Sequence, residues 1–229
     1  MDFALILEVL PDLLDGLWMT VQLVVLSLAF GFVAAVGVAL MRLSHNPLVS
    51  GTAWVYVFVF RGTPLLVQIF LIYYGVGQFE AVRESFAWPV LREAYWCAIL
   101  ALTLNTAAYS SEIIRGGIQS VPRGHIEAAR ACGMSRALTF RRITLPLAFR
   151  QALPAYGNEV VLMVKASSLA STITIMEITG IAKAINSRTF APFEVFAAAG
   201  AIYLAINFMA TRAIQYAEWR LTPYLRPRT

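Results

Sequence analysis

Residues 122–146 read PRGHIEAARACGMSRALTFRRITLP, a polar and arginine-containing segment that lies between two long apolar stretches. Its alanines favour a helix, Gly133 is expected to end that helix, and a second helix is expected to begin near Ser135. A chain composed mostly of membrane spans has little other need for such a segment. We therefore predict that it forms a docking surface for a cytoplasmic partner. An amphipathic loop lying on anionic lipid is the alternative.

The composition around this segment is that of a membrane protein. The 229 residues are 59% hydrophobic and 14% charged, whereas soluble domains contain about 45–50% apolar and about 25% charged residues. A helix needs about 20 residues to cross a hydrocarbon core of about 30 Å. Five apolar stretches are long enough, which predicts an all-α polytopic bundle of five transmembrane helices in one domain, 1–229. The predicted spans are 17–41, 53–76, 95–114, 149–176 and 195–217.

The distribution of basic residues predicts the orientation of the bundle. Ten of the 18 Lys and Arg residues fall in 42–52, 115–146 and 218–229, and four fall in 1–16, 77–94 and 177–194. The positive-inside rule then places the N-terminus outside and the C-terminus and the loop 115–146 inside. The net charge of +5 follows from these loops, so it is not interpreted as a sign of nucleic-acid binding.

Two further expectations concern the N-terminus and the cysteines. Phe3, Ile6, Leu7, Leu10 and Leu14 would share one face of a helix, which predicts a short interfacial helix before the first span. The acidic N-terminus lacks the basic region of a cleavable signal peptide. Cys97 and Cys132 fall in different segments, so neither a disulfide nor a metal site is predicted.

Ionisable residues inside the predicted spans mark the candidate solute site. A charge at the centre of a span costs about 2.5–3.5 kcal/mol, so each needs a partner, water or the interface. The third span carries a polar stripe, with Asn105, Tyr109 and Glu112 at i, i+4 and i+7. The fourth span carries another stripe, composed of Asn158, Lys165, Ser168 and Thr172.

The second span is interrupted by Arg61-Gly62-Thr63-Pro64, which should break the helix and free main-chain groups that need partners inside the protein. Together with the two stripes, this break predicts a cavity for a zwitterionic solute. Glu112 would attract an ammonium or guanidinium group. A carboxylate would bind Lys165 or Arg61, together with Ser168 and Asn105 of the two stripes. The predicted substrate-binding residues are Arg61, Thr63, Asn105, Tyr109, Glu112, Lys165 and Ser168.

Other interpretations of the same residues remain open at this point. Glu112 and Lys165 could form a structural ion pair, Arg61 could anchor the helix break, and Glu159 suits a structural or gating role. The Lys165-Ala166-Ser167-Ser168 stretch could pair a serine nucleophile with a lysine base. A secondary transporter or channel driven by an ion gradient is the alternative function.

The polar segment also carries a spaced motif. Glu127-Ala128-Ala129, three residues, Gly133, nine residues and Ile143-x-Leu145-Pro146 resemble the cytoplasmic-loop signature of the membrane subunits of bacterial ATP-binding-cassette (ABC) importers. Four other stretches resemble the polar amino acid uptake family: FRGTPL at 60–65, LNTAAY at 104–109, SVP at 120–122 and LPAYGNEV at 153–160. The chain is most similar to the M-type permeases for histidine, lysine, arginine and ornithine, and to those for octopine and nopaline. KASSLASTITIMEITG at 165–180 resembles the opine or arginine-like branch, and Lys165 departs from the histidine-type pattern.

The resemblance implies a type I ABC importer permease in the bacterial inner membrane. Glu127, Ala128, Ala129 and Gly133 would belong to a coupling helix that contacts an ATPase. The implied partners are a homologous second permease in a heterodimer, two cytoplasmic ATPase subunits and a periplasmic substrate-binding protein. The chain has no GxxxxGK[ST] phosphate loop. ATP and Mg²⁺ would therefore bind the partner ATPase, and the chain itself is predicted to have no cofactor, metal or catalytic residue.

Overall fold

A computed structural model describes residues 2–221, which form eleven α-helices joined by short π-helical, 3-10 and loop segments, with no strand in this range. The α-helices are α1 Phe3–Arg42, α2 Pro47–Gly62, α3 Leu65–Phe70, α4 Glu80–Arg83, α5 Trp88–Leu91, α6 Ala94–Gln119, α7 Arg123–Ala131, α8 Arg136–Thr139, α9 Leu145–Ala166, α10 Ile178–Thr189 and α11 Pro192–Leu221. The all-α prediction is confirmed.

Helix α1 corrects the prediction for the N-terminus. Asp2 caps it by accepting hydrogen bonds from the amides of Ala4 and Leu5, and the helix then continues for 40 residues. No separate interfacial helix precedes the first span. Phe3 and Leu7, on the predicted apolar face, are about 70% exposed. Another face of this part of α1 packs inside the protein, where Val9 and Leu13 are buried against α10 and α11.

The second predicted span is a bent pair of helices. After α2, the chain turns by 106° into a run that includes α3, a π-helical turn Leu71–Gly75 and a 3-10 turn Val76–Gln78. Thr63 is extended, as a residue before proline should be, and Pro64 precedes α3. The predicted break at 61–64 is confirmed.

Helix α6 lies at the centre of the bundle, between α1 and α9. Its buried face is rich in small residues, which allow neighbouring helices to approach closely. A Cβ at Gly31 of α1 would lie 2.2 Å from the Cγ2 atom of Thr106, and one at Gly117 would lie 2.7 Å from the main-chain oxygen of Ala148. Because both positions are glycine, α1 and α9 can lie this close to α6.

The fourth apolar segment is also bent. Helical structure runs from α8 through α9 and a 3-10 turn to Ile173, and α10 follows at an angle of 49°. The left-handed backbone of Thr174, with φ of +72°, breaks the helix there. Glu177 then caps α10 by accepting a hydrogen bond from the amide of Gly180. Helix α9 begins at Leu145, earlier than the start of the predicted span 149–176.

Three described helices, α1, α6 and α11, are long and apolar enough to cross a membrane, and the two bent pairs raise this number to five if each is one span. When each bent pair is counted as one span, the number of spans agrees with the predicted bundle of five. The predicted cytoplasmic segment 218–229 extends into residues 222–229, which lie outside the described residues. Arg226 and Arg228, used to predict the orientation, lie there as well.

Candidate functional site

A polar cavity of about 410 Å³ lies between the end of α1, the second half of α2 and the end of α6. It contains three of the predicted site residues. Its lining comprises Arg42, Trp54, Val57, Phe58, Arg61, Gly62, Tyr109 and Glu112. A larger cavity of about 650 Å³ between α1, α6 and α9 is lined almost wholly by apolar side chains. Of these two cavities in the described part of the chain, the polar one offers charged groups that could orient a zwitterion.

Glu112 lies between two arginines. Its Oε1 accepts a hydrogen bond from Nε of Arg42 at 3.0 Å, and its Oε2 accepts from Nη2 of Arg115 at 2.6 Å. The Glu112 side chain is 15% exposed. The alternative of a Glu112–Lys165 ion pair is therefore wrong for this structure. The sequence could not reveal Arg42 as a partner, because it lies 70 residues away and reaches α6 only through helix packing.

Arg61 projects over the other side of the cavity. Its guanidinium lies 5.1 Å from the ring centroid of Tyr109, a cation–π contact. The Tyr109 hydroxyl donates to the main-chain oxygen of Arg61 at 3.5 Å. Among residues 2–221, no carboxylate forms an ion pair with Arg61. The ring positions the guanidinium, which also lies within electrostatic reach of the Glu159 carboxylate on α9 without forming an ion pair with it.

Gln68 holds the helix break together, a role that the sequence analysis missed. Its Nε2 donates to the main-chain oxygen of Phe60 at 2.9 Å and to Oγ1 of Thr63 at 2.9 Å. Its Oε1 accepts a hydrogen bond from Nδ2 of Asn105 at 3.0 Å. The predicted site residues Thr63 and Asn105 thus meet at the break. The available signal was a single amide side chain in an apolar run just after the proline.

The polar stripe of the fourth span does not line this cavity. Lys165 is exposed near the end of α9, and Ser168 donates its hydroxyl to the main-chain oxygen of Lys165 at 2.7 Å. That contact is to the backbone and not to the lysine amine, so no nucleophile and base pair is formed. Glu159 is buried and accepts a hydrogen bond from Oγ1 of Thr106 at 2.8 Å, a contact that supports a structural role.

The predicted coupling segment has a well-defined geometry. α7 presents Glu127 and Ala128 to the exterior, whereas Ala129 is buried. Gly133 is left-handed, with φ of +77°. The helix ends in a Schellman motif, in which the amide of Met134 donates to the Ala129 oxygen at 3.1 Å. The predicted helix end is confirmed.

The predicted second helix of this segment is confirmed as well. Ser135 caps α8 by accepting a hydrogen bond from the amide of Leu138 at 3.3 Å. α7 and α8 are therefore separate helices, and the left-handed Gly133 lies between them.

A second missed feature is a buried carboxylate at the start of α10. Glu177 is fully buried, and its Oε2 accepts a hydrogen bond from the hydroxyl of Tyr203 on α11. Thr20 of α1 accepts a hydrogen bond from the amide of Ile178 at 3.4 Å. These bonds join α1, α10 and α11. Glu177 follows a predicted span, so its position along the sequence suggested a loop residue.

The chain matches a family described as "binding-protein-dependent transport system inner membrane component" over residues 13–223. It is 60% identical to the nopaline transport system permease protein NocM of Agrobacterium fabrum over 229 residues, covering 100% of this chain and 95% of that protein. It is 42% identical to the histidine/lysine/arginine/ornithine transport system permease protein HisM of Escherichia coli, covering 93% of this chain and 90% of that protein.

Solved structures share the fold. A chain of an amino acid ABC transporter crystallised with histidines has a TM-score of 0.86 and 36% identity, covering 96% of this chain and 99% of that one. A chain of the MetNI methionine ABC transporter in an inward-facing conformation has a TM-score of 0.75 at 19% identity, covering 92% of this chain and 96% of that one. The chain therefore belongs to the family of binding-protein-dependent transport system inner membrane components, the permease subunits of ABC importers.

Proposed function

We propose that this permease imports an opine derivative of a basic amino acid, or the basic amino acid itself, through the polar cavity between α1, α2 and α6. The observation that carries the proposal is the arrangement of charges there. Arg61 offers a guanidinium that pairs with no carboxylate among residues 2–221, and Glu112 offers a carboxylate on the same wall as Arg42.

The charges of the cavity favour a solute with carboxylate groups and one cationic group. Arg42 and Arg61 supply two guanidinium groups, and Glu112 supplies one carboxylate. Arginine side chains bind carboxylates with two parallel hydrogen bonds. An opine derivative carries one or more carboxylates beyond that of the amino acid, so it suits the excess of guanidinium. The names of the nopaline, octopine and basic amino acid permeases support the same class of solute.

The remaining predicted site residues would serve different steps of the same path. Thr63 and Asn105 would hold the helix break beside Arg61 through Gln68. Lys165 and Ser168 lie at the end of α9 and would contact the solute before it reaches the cavity. They do not line the cavity itself.

The energy for transport would come from partner proteins. The permease would pair with a homologous second permease, receive the solute from a periplasmic binding protein, and rest on two cytoplasmic ATPases that bind ATP and Mg²⁺. The bundle would lie in the bacterial inner membrane with its N-terminus periplasmic and its C-terminus cytoplasmic. The predicted loop 115–146, which contains α7, would then face the ATPases.

Helix α7 would be the coupling helix. Glu127 and Ala128 are exposed on it, and the small alanine side chains would allow close contact with an ATPase surface. Closure of the ATPase dimer on ATP would push α7, and the α8–α9 run that follows would carry the movement into the bundle. The solute would enter in the outward-open state and leave in the inward-open state.

The test is uptake by proteoliposomes that contain the complete transporter, with labelled octopine and arginine as solutes. ATP inside the vesicles should drive uptake, and an ion gradient without ATP should not. Glu127→Lys and Gly133→Asp should abolish coupling while membrane insertion is retained. Glu80→Lys is the matched charge-reversal control, at an exposed position outside α7. Uptake driven by an ion gradient alone, or full association with the ATPase in both loop variants, would contradict the proposal.

A further inference from the structure

The Arg42–Glu112 ion pair lies inside the polar cavity, and its two halves differ in what else they bind. Glu112 uses separate oxygens, Oε1 for Arg42 and Oε2 for Arg115. Arg115 also donates to Oε1 of Gln119 at 2.7 Å and is not part of the cavity lining. Among residues 2–221, the Arg42 side chain forms its hydrogen bond and ion pair with Glu112. Both members of the pair are about one-sixth exposed.

From this difference we propose that Arg42 and Glu112 pair with each other in the absence of solute and that a zwitterionic solute opens this ion pair. The solute does so by becoming the new partner of both side chains. The solute carboxylate binds Arg42, and the solute guanidinium binds the vacated Oε1 of Glu112. Arg115 stays on Oε2 throughout and keeps the carboxylate ionised and in place. The inference rests on the proposed function and adds to it a requirement for both charges on one solute.

The energetics favour a double exchange over a single one. Removing one partner from a part-buried ion pair leaves an uncompensated charge, which is strongly unfavourable. A cation alone could displace Arg42 from Glu112 but would leave Arg42 without a carboxylate. An anion alone could bind Arg42 but would leave Oε1 empty. A solute with both groups replaces one ion pair by two, so no charge is left unpaired at the end.

The exchange also connects the solute to a movement of the fold. Arg42 is the last residue of α1, and Glu112 lies near the end of α6. The pair ties these two helix ends together at one side of the cavity. When a solute lies between the two side chains, their guanidinium and carboxylate groups can no longer be 3.0 Å apart. The end of α1 must then move away from α6, which opens the cavity at that end.

The experiment measures the distance between spin labels at the two helix ends. His45 is exposed, and a Cβ at Gly116 would meet nothing within 4 Å, so both accept a labelled cysteine. Cys132 is exposed and is replaced by serine, whereas Cys97 is buried and is retained. The complete transporter in nanodiscs is measured with 4-guanidinobutyrate, which has both charges, with agmatine, which has only cationic groups, and with butyrate, which has only the carboxylate.

We expect 4-guanidinobutyrate to shift about half or more of the molecules from the short label-to-label distance to a longer one. A ligand that binds the opened ion pair several-fold more tightly than the closed one would have this effect. Agmatine and butyrate should leave the distance unchanged. Arg42→Gln should lengthen the distance without solute and remove the response. Arg115→Gln, which also removes one partner of Glu112, should keep the response, because the pair in the cavity remains.

An unchanged distance with 4-guanidinobutyrate, an equal response to agmatine, or the same behaviour in both arginine variants would overturn the inference. The proposed function is judged separately, by ATP-driven uptake in the wild-type transporter. If uptake of arginine or octopine occurs and the label distance stays constant, only the exchange is wrong. If no ATP-driven uptake of such solutes occurs, the proposed function is wrong.

Discussion

The side-chain amide of Gln68 lies 2.9 Å from the main-chain oxygen of Phe60, across the point where the second apolar segment turns by 106°. Gln68 is 6% exposed. A helix broken inside a membrane leaves main-chain groups without partners, and these need protein or water to bind. The side-chain amide of Gln68 donates to the main-chain oxygens of Phe60 and Thr63, which the turn at Pro64 takes out of the regular helix.

We therefore expect Gln68→Leu to destabilise the permease. Leucine has a similar size but leaves the oxygen of Phe60 and the amide of Asn105 with only the long 3.4 Å bond to each other. An unsatisfied buried polar group costs about 1–3 kcal/mol. Thermal unfolding in detergent should show a lower midpoint. Gln78→Leu is the matched control, since Gln78 is exposed and its contact is a 3.3 Å bond to Tyr74. Equal midpoints for the two variants would contradict this role.

Glu112→Gln should weaken transport of a cationic solute more than transport of its neutral analogue. The amide keeps the shape of the carboxylate but loses the charge that faces Arg42 and the cavity. A hydrogen bond to a charged group contributes about 1.5–3 kcal/mol, so arginine uptake should fall about tenfold or more. Uptake rates of arginine and citrulline are compared, with Glu80→Gln as a surface control. An equal loss for both solutes would assign Glu112 a structural role.

Gly16→Ala tests the contact between α1 and α10. A Cβ at Gly16 would lie 2.7 Å from the amide nitrogen of Ile178, which is backbone and cannot rotate away. Overpacking of this kind costs about 1–3 kcal/mol. The midpoint of thermal unfolding should fall. Gly37→Ala on the same helix meets nothing within 4 Å and should leave the midpoint unchanged or raise it. A tolerated Gly16→Ala would mean that α1 and α10 are farther apart.

Glu177→Leu and Glu177→Gln test the buried cap of α10. Leucine fills the space but removes the acceptor of the Gly180 amide, and it leaves the Tyr203 hydroxyl with Thr179 Oγ1 at 3.1 Å as its partner. Glutamine keeps one acceptor oxygen. We expect the free energy of unfolding to fall in the order wild type, Glu177→Gln, Glu177→Leu. Adding Tyr203→Phe to Glu177→Leu should recover part of the loss, because it removes a buried hydroxyl that has lost its carboxylate acceptor. Strictly additive effects would argue against the Glu177–Tyr203 bond.

Local features of this fold were predictable from the sequence because neighbouring residues decide them. The break at 61–64 follows from glycine and proline, which cannot continue a helix with full hydrogen bonding. The end of α7 at Gly133 follows from the left-handed backbone that glycine adopts without strain. The all-α class follows from long apolar stretches in a chain with few charges.

The candidate site was only partly predictable. Arg61, Tyr109 and Glu112 meet in one cavity, as the polar stripe of α6 and the break of α2 indicated. Lys165 and Ser168 do not line it, because Lys165 is exposed near the end of α9 and Ser168 lies in the 3-10 turn that follows. Helical periodicity within one segment does not show which neighbouring helices that segment will face.

The amino-acid sequence by itself determined which stretches are helical, where they break and which family the loop motif resembles, since these depend on residues close together in the chain. Only the tertiary structure decided that Glu112 pairs with Arg42, that Gln68 closes the break and that Glu177 joins three helices. Each of these contacts links residues of different helices or across a sharp bend. Their geometry is set by how close small residues such as Gly16, Gly31 and Gly117 let the helices approach.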